Sequence, residues 1–357
     1  MRTRREGRDL PVNGIHRGDC LEFLRSLPDG CVNLIVSSPP YNLGKEYEAR
    51  RALEMYLQNQ AEVLQHCARV LARTGSIFWQ VGAFSDDGVL IPLDVRFFPI
   101  LESFGLQPRN RIVWVRQHGL HARRKFSCRH ETILWFTRSS DYIFNLDAIR
   151  VPQKYQNKTY HKGERRGQLS CHPAGKNPGD IWVFRNVKHN HEEQTIHPCQ
   201  FPEDLIARIV LATTDRGHVV LDPYMGSGTV AVVARDLGRH FIGAELDAKY
   251  HEVAIRRLNG EPDRRGSFAN LKTLRHYVEQ SGEAVDKFRF DVQVGTRATE
   301  RKHAKIFPEE YHLGELEERL SHEEASFGAS LRNRPAPTHP RYERLKPKKR
   351  TPSLFEG

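Results

Sequence analysis

The sequence predicts an α/β protein built on a doubly wound, mostly parallel sheet. One observation is an apolar run at residues 32–36, which has the length and composition of a strand buried on both faces. A second is a short apolar strand at residues 219–222, followed by a glycine turn and an apolar helix at 230–237 that ends at Gly238. Another strand follows at residues 240–244, so strands and helices alternate as a parallel sheet requires.

The segment after the first strand predicts an amphipathic helix. Apolar residues recur there at steps of four, three, four and three, which places them on one helix face. These residues are Leu57, Ala61, Leu64, Ala68 and Leu71. We expect this helix to stop at Thr74-Gly75, and further strands to form at residues 112–115 and 132–136. Later helices are predicted to begin at Pro202-Glu203 and after Asp247, which can serve as an N-cap.

A stiff turn, Ser38-Pro39-Pro40-Tyr41, follows the first strand. Ligands of open α/β sheets bind beyond the carboxyl ends of the strands, so the turn stands where chemistry is expected. The prolines fix two φ angles and remove two backbone donors, which leaves the Ser38 hydroxyl and the two proline carbonyls as acceptors. These groups suit an exocyclic amine, with Tyr41 stacked on the ring that carries it. The alternative is a proline turn that merely ends a strand.

A glycine loop follows the strand that ends in Asp222. Gly226 and Gly228 allow a ligand to approach the backbone, and the start of the next helix favours a negative group such as a carboxylate. Glu245 lies seventeen residues after Gly228, near the spacing of about 20 at which nucleoside-binding folds place a ribose-hydroxyl acceptor. The loop lacks the dinucleotide and phosphate-loop spacings, so a nucleoside without phosphates is expected. A generic strand–turn–helix unit is the alternative.

Together the two motifs resemble those of the amino-directed DNA methyltransferases that use S-adenosylmethionine, in the circularly permuted order of the beta class. In this order the PPY turn precedes the glycine loop, as it does here. Shorter stretches within residues 12–258 are also similar to the family, at residues 16–20, 75–79, 129–131 and 197–202. The last stretch reads HPCQFP where the family often has HPTQKP, so Cys199 and Phe201 depart from the pattern.

The resemblance implies a Rossmann-like methyltransferase fold, circularly permuted, with an inserted target recognition region and a C-terminal extension. Residues 12–149 would form the catalytic half, 150–196 the target recognition region and 197–260 the cofactor-binding half. The charged residues 261–330 have no assigned role, and 331–357 have the composition of a disordered basic tail. The implied catalytic residues are Ser38, Pro39, Pro40 and Tyr41. The implied cofactor-binding residues are Asp19, Asp222, Tyr224, Gly226, Ser227, Gly228, Thr229 and Glu245.

The resemblance also implies the reaction, in which a base is flipped out of the duplex and methylated on its exocyclic nitrogen. A serine at the first position of the turn favours cytosine N4, although adenine N6 stays open. Two other classes remain as alternatives. One is a noncatalytic DNA-binding protein that retains the fold, and the other is a nicotinamide dehydrogenase, which the glycine spacing disfavours.

Charge indicates a polyanionic partner, because the 357-residue chain carries a formal net charge of +11. The stretch at residues 109–129 has basic residues without acidic ones, and its Arg123, Arg124 and Lys125 are predicted to contact DNA phosphates. Arg165 and Arg166 are predicted to contact DNA from the target recognition region. A solvated basic loop is the alternative. The expected partner is double-stranded DNA, with a cognate restriction endonuclease as a genetic partner; the oligomeric state, including a dimer, stays open.

No apolar run of about 18 residues occurs, and the N-terminus lacks an apolar signal core. We therefore expect a cytoplasmic protein without membrane association. Its six cysteines form no CxxC pair and are expected to be reduced thiols. His191 and His197 have the spacing of one half of a zinc site, but no cysteine pair completes it, so no metal is predicted.

Overall fold

The structure is a computed structural model that describes residues 12–42, 44, 51–86, 89–116, 122–151, 158–172, 174–188, 191 and 193–261. The strands are β1 (Gly14–Arg17), β2 (Val32–Ser37), β3 (Leu71–Val81), β4 (Ala83–Asp86), β5 (Val89–Pro92), β6 (Gln107–Val115), β7 (His130–Thr137), β8 (Ile181–Val183), β9 (Val219–Asp222) and β10 (His240–Glu245). The α-helices are α1 (Cys20–Ser26), α2 (Leu53–Val70), α3 (Leu93–Ser103), α4 (Glu203–Thr213), α5 (Thr229–Asp236) and α6 (Ala248–Leu258). The predicted tail, and all of the predicted extension except Glu261, lie outside the described residues.

Eight of the described strands form one sheet in the order β1-β10-β9-β2-β3-β7-β6-β8, and β4 pairs with β5 in a separate hairpin. Among these eight strands β7 alone runs antiparallel to its neighbours, β3 and β6, so the sheet is mostly parallel, as predicted. Residues from α1, α2 and α3 pack on one face of the sheet, and residues from α4 and α5 pack on the other. This arrangement confirms the doubly wound fold class.

Strand β2 shows why the sheet is buried on both faces. Leu34 and Val36 belong to the cluster that contains α4 and α5, whereas Val32 and Ile35 belong to the cluster under α1 and α2. All four side chains are buried. A strand covered by helices on both sides must be apolar throughout, which explains the continuous apolar run in the sequence.

Helix α2 ends earlier than the sequence predicted. It stops at Val70, and β3 begins at the next residue rather than after Thr74-Gly75. Leu71 pairs with Val32 of β2 and therefore belongs to the sheet, although it continues the apolar spacing of the helix. The spacing was misleading because a buried strand and a buried helix face both require an apolar residue at this position.

The carboxyl edge of the sheet gathers the predicted site. Strands β1, β10, β9, β2 and β3 are parallel neighbours, so their carboxyl ends meet at one edge. Strand β7 runs the other way, with Thr132 paired to Val81, so its first residues lie at the same edge. The segment between β6 and β7 also leaves from this edge, since Val115 pairs with His130.

The edge strand β8 comes from the interval predicted as the target recognition region, and it pairs parallel to β6. Within the described segments, none of the helices combines the length and the apolar character needed to span a bilayer.

Candidate active site

The proline turn is held in place from both sides. Tyr56 of α2 donates its phenol hydrogen to the Pro40 carbonyl, with 2.7 Å between the oxygens. Asn42, at a φ of 61°, exchanges two hydrogen bonds with the backbone of Arg51, at 2.6 and 2.7 Å. The Pro40 carbonyl is therefore already engaged. The Ser38 hydroxyl and the Pro39 carbonyl are the other two acceptors predicted at this turn.

Tyr41 packs against Gly82, the residue that follows β3. A methyl group in place of the Gly82 hydrogen would come within 3.0 Å of the Tyr41 ring, so glycine makes room for the aromatic side chain. The Tyr41 hydroxyl lies 3.0 Å from Ser38 Oγ and 3.4 Å from Glu131 Oε2. Burial, and next the nearby Glu131 carboxylate, raise the pKa of Tyr41 well above its usual value, so the phenol keeps its proton.

Asp222 connects the catalytic turn to the glycine loop. Ser37, the last residue of β2, donates its hydroxyl hydrogen to Asp222 Oδ1 at 2.6 Å, and the Tyr224 amide donates to the same oxygen at 3.0 Å. Asp222 is only 2% exposed, and its burial raises the pKa of the carboxyl to about 7. The two motifs, far apart in sequence, are thus neighbours at adjacent strand ends.

Glu245 holds the glycine loop against the end of β10. Its carboxylate accepts hydrogen bonds from the Gly226 amide at 2.7 Å and from the Asp247 amide at 2.8 Å. Gly226 and Gly228 have φ angles of 54° and 79°, which favour glycine. At Gly228 a Cβ would also lie 2.8 Å from Ala254 Cβ of α6, so this glycine allows the loop to pack on that helix.

Asp19 lies beside Glu245 at the carboxyl edge. Arg17 pairs with Glu245 in the sheet, and the Gly18 amide donates to the Glu245 carbonyl at 3.0 Å. Asp19 itself caps α1, because its Oδ1 accepts from the Leu21 and Glu22 amides at 2.9 and 3.1 Å. Two carboxylates therefore stand on neighbouring strand ends next to the glycine loop.

Ser227 and Thr229 turn their hydroxyls inward to Arg257. This arginine is 1% exposed, and its Nη1 lies 3.2 Å from Ser227 Oγ and 2.9 Å from Thr229 Oγ1. Its other terminal nitrogen donates to Glu203 at 2.6 Å. Arg257 was not among the site residues predicted from the sequence. The available signal was an arginine on the apolar face of α6, four residues after Val253 and three after Ala254.

The side chain of Tyr224 also points into the protein. Gln60 of α2 donates to its hydroxyl at 2.9 Å, and the ring meets Trp79 edge-on at a centroid distance of 6.1 Å. Tyr224 thus anchors the glycine loop against the face of the sheet covered by α2. Its predicted contact with a cofactor rests on the loop backbone rather than on the phenol.

The basic residues of the 109–129 stretch and of the predicted target recognition region fall into two groups. Some arginines of the stretch have partners that the local sequence did not reveal: Arg111 donates to Asp94 at 2.6 Å, and Arg116 pairs with Glu131 at 2.8 Å. The predicted DNA-contacting residues are exposed instead. These are Arg123, Arg124 and Lys125 before β7, and Arg165 and Arg166 in a turn between the bridged residues Thr159 and Leu169.

No three histidine, cysteine, aspartate or glutamate side chains converge as metal ligands would, within the part of the chain that the structure describes.

The proline turn and the glycine loop lie on adjacent strand ends of a mostly parallel sheet, at the edge where open α/β folds bind their ligands. The chain belongs to the N6/N4 DNA methylase family, whose match, described as "DNA methylase", covers residues 32–256. Members of this family are DNA methyltransferases that use S-adenosylmethionine.

Individual proteins agree with this membership. The type II methyltransferase M.BglII of Bacillus subtilis is 54% identical over 314 residues, which is 87% of each chain. The DNA adenine methyltransferase YhdJ of Escherichia coli (strain K12) is 33% identical over 250 residues, covering 69% of this chain and 82% of the relative. The solved PvuII DNA methyltransferase (cytosine-N4-specific) aligns with a TM-score of 0.56 at 18% identity, over 76% of this chain and 93% of that one, a likeness of fold alone.

Proposed function

We propose that this protein methylates the N4 amino group of a cytosine in a specific DNA sequence, as the methyltransferase of a type II restriction-modification system. The observation that carries the proposal is the Ser37–Asp222 hydrogen bond of 2.6 Å. It joins the strand that ends in the acceptor turn to the strand that ends in the glycine loop. An amine held at the turn after β2 and a methyl donor held at the loop after β9 would therefore meet at the same edge of the sheet.

The glycine loop and its flanking carboxylates fit S-adenosylmethionine. When bound, this cofactor supplies a methyl group on a positively charged sulfur. Gly226 and Gly228 let the backbone come close to the ligand, and the start of α5 favours its carboxylate. Glu245 retains acceptor capacity for the ribose hydroxyls, because a carboxylate has about four acceptor sites and two backbone amides bind it among the described residues. Asp19, on the neighbouring strand end, would lie near the adenine.

The proline turn fits the target amine. Ser38 Oγ and the Pro39 carbonyl would accept the two N–H groups of a flipped base, and Tyr41 would stack on its ring. Stacking of this kind contributes roughly 1–3 kcal/mol per base. The hydrogen bonds would direct the nitrogen lone pair toward the methyl group. Holding both reactants in this geometry makes a bimolecular displacement effectively unimolecular.

Cytosine is our choice of base because Ser38 occupies the first position of the turn, where the family's cytosine-N4 enzymes more often have serine. Adenine N6 is the second candidate. It is favoured by the 33% identity to YhdJ, whose name describes an adenine methyltransferase. Both bases present the same kind of amine, so the acceptors at the turn suit either.

Recognition of the DNA is assigned to two exposed basic groups. Arg123, Arg124 and Lys125 leave the sheet from the edge that carries the proline turn, where they would contact phosphates. Arg165 and Arg166 belong to residues 150–196, which we propose as the target recognition region. The type II relatives make a cognate endonuclease the expected genetic partner.

The product of the reaction tests this proposal. The protein is incubated with plasmid DNA and S-adenosylmethionine labelled in the methyl group, and the DNA is digested to nucleosides that are identified by mass. We expect labelled N4-methylcytosine. Labelled N6-methyladenine would select the second candidate, and the absence of any labelled nucleoside across diverse DNA would contradict the enzyme assignment.

A further inference from the structure

We propose that Glu131 is a positioning residue that sets the direction of the hydroxyl hydrogens of Tyr41 and Ser38, so that Ser38 presents its lone pairs to the target amine. The inference rests on the proposed function and extends it. Glu131 lies in β7, outside both motifs that identify the site. It reaches the site because β7 runs antiparallel to β3 and begins at the carboxyl edge.

Three side chains form a row from β7 to the proline turn. Glu131 Oε2 lies 3.4 Å from the Tyr41 hydroxyl, and that hydroxyl lies 3.0 Å from Ser38 Oγ. The first distance is long, as catalytic hydrogen bonds often are before a substrate binds. The row ends at the group to which we assign the target amine.

The proton positions in this row follow from the acceptor at its end. Tyr41 donates its single hydroxyl hydrogen to Glu131 Oε2, because carboxylate oxygens serve as acceptors. A phenol has one hydrogen, so toward Ser38 the Tyr41 oxygen can only accept. Ser38 then donates its single hydrogen to Tyr41, and its remaining lone pairs face outward as acceptors.

This direction matters for the chemistry. A serine hydroxyl can rotate, and it can act as a donor or an acceptor. A Ser38 that donated to the exocyclic nitrogen would occupy the lone pair that has to attack the methyl group. A Ser38 that accepts from the amine leaves this lone pair available. The row thus makes the neutral Ser38 hydroxyl act toward the amine as an acceptor only, as a carboxylate would.

Two donors hold the Glu131 carboxylate in place. Arg116 Nη1 donates to Oε1 at 2.8 Å, and Gln80 Nε2 donates to Oε2. Neither partner competes with Glu131 as the acceptor for Tyr41. Burial and the Glu131 carboxylate also raise the pKa of Tyr41, which keeps the phenol hydrogen on its oxygen. The side chains of Arg116 and Glu131 are 21% and 14% exposed, so water has limited access to the pair.

A double-mutant cycle tests the inference under single-turnover conditions with saturating DNA and S-adenosylmethionine. Glu131→Gln offers Tyr41 an amide that can donate, and Tyr41→Phe removes the hydroxyl but keeps the stacking ring. We expect each variant to lose roughly 10- to 100-fold in rate, the effect of a hydrogen bond to a charged group. The Kd for S-adenosylmethionine should change less than twofold. The double variant should be no slower than Tyr41→Phe alone, because both changes break the same row.

Glu62→Gln is the matched control, since Glu62 is an exposed carboxylate that pairs with Arg25 on the surface. It should keep the wild-type rate. A wild-type rate for Glu131→Gln, or losses that multiply in the double variant, would overturn the inference. If Glu131→Gln does not fold, the rate of Tyr41→Phe tests the inference in its place. An unchanged methylation rate in Tyr41→Phe would also show that the reaction does not need the row of hydrogen bonds. A wild-type protein that methylates no DNA would refute the proposed function instead, so the two failures are distinguishable.

Discussion

Ser37 Oγ and Asp222 Oδ1 lie 2.6 Å apart, although 185 residues separate them in the sequence. Ser37 ends β2 and Asp222 ends β9, and these two strands are neighbours in the sheet. The same aspartate oxygen accepts the Tyr224 amide and so begins the turn of the glycine loop. One buried carboxyl group therefore fixes the position of the proline turn relative to the loop.

The free energy of unfolding should fall as pH rises toward and through 7. Burial raises the pKa of Asp222 from an ordinary value near 4 to about 7, and burial also raises the pKa of Glu245. Between these pH values the folded protein keeps protons that the unfolded chain releases, so this contribution to stability is full at low pH and is lost as pH increases. Each such group contributes a slope of up to about 1.4 kcal/mol per pH unit.

Urea unfolding of the ligand-free protein from pH 5 to 8 measures this slope. Asp222→Asn keeps an oxygen that can accept from Ser37 and from the Tyr224 amide, and it should flatten the slope. Asp147→Asn is the control, because Arg150 lowers the pKa of this exposed carboxyl. An unchanged slope in Asp222→Asn would show that the carboxyl is ionised across this range.

Among the charged residues, Arg257 should contribute most to the stability of the glycine loop. Arg257→Met removes the donor to Ser227 and Thr229 and leaves the buried Glu203 carboxylate without this arginine. Breaking a buried pair from one side costs roughly 3–5 kcal/mol. Adding Glu203→Gln to Arg257→Met should recover part of this loss. Thermal and urea unfolding provide the measurement, and a loss below about 1 kcal/mol for Arg257→Met would contradict the role given to it.

Gly243→Ala should disturb the packing between β10 and the glycine loop. A Cβ at this position of β10 would overlap Met225 Cε and the Asp222 backbone carbonyl oxygen. The methionine can move, but the strand backbone cannot, so we expect a loss of about 1–3 kcal/mol and weaker binding of S-adenosylmethionine by calorimetry. Gly14→Ala in β1 is the matched control, because its Cβ would meet nothing within 4 Å. Equal behaviour of the two variants would refute the packing argument.

Replacing Arg123, Arg124 and Lys125 together by alanine should weaken DNA binding for all sequences alike. Each phosphate contact contributes about 0.9 to the slope of log K against log salt, so three lost contacts lower the slope by roughly 2.7. Titration of a labelled duplex at several salt concentrations measures this slope. Arg73→Ala removes an exposed arginine near the amino end of β3, away from the site, and should leave the slope unchanged. A slope in the triple variant equal to that of the wild type would show that this segment does not contact DNA.

The main features of the fold could be predicted because they depend on local patterns. A continuous apolar run predicted β2, and the glycine turn with the following apolar helix predicted the β9–α5 unit. The end of α2 was wrong because Leu71 suits the helix face and the strand equally well. Family resemblance rather than periodicity identified the order of the two motifs as that of the beta class.

The partners within the site could not be predicted, because they come from distant strands and helices. Glu131 meets Tyr41 across 90 residues, and Arg257 meets Glu203 across 54. Similarly, Arg116 lies in a stretch of basic residues without acidic ones, and its partner Glu131 comes from the neighbouring strand β7. Sequence spacing reports neighbours on one element, whereas these contacts depend on which strands are adjacent.

Ser38 is the residue that we propose contacts the amine that receives the methyl group. The most direct test of this contact compares Ser38→Ala with the wild type in two measurements on the same preparation, the Kd for S-adenosylmethionine and the single-turnover rate of methyl transfer to DNA. We expect the Kd to change less than twofold and the rate to fall roughly 100-fold, the effect of removing a hydrogen bond aimed at the reacting centre. An unchanged rate would place the active site elsewhere on the protein.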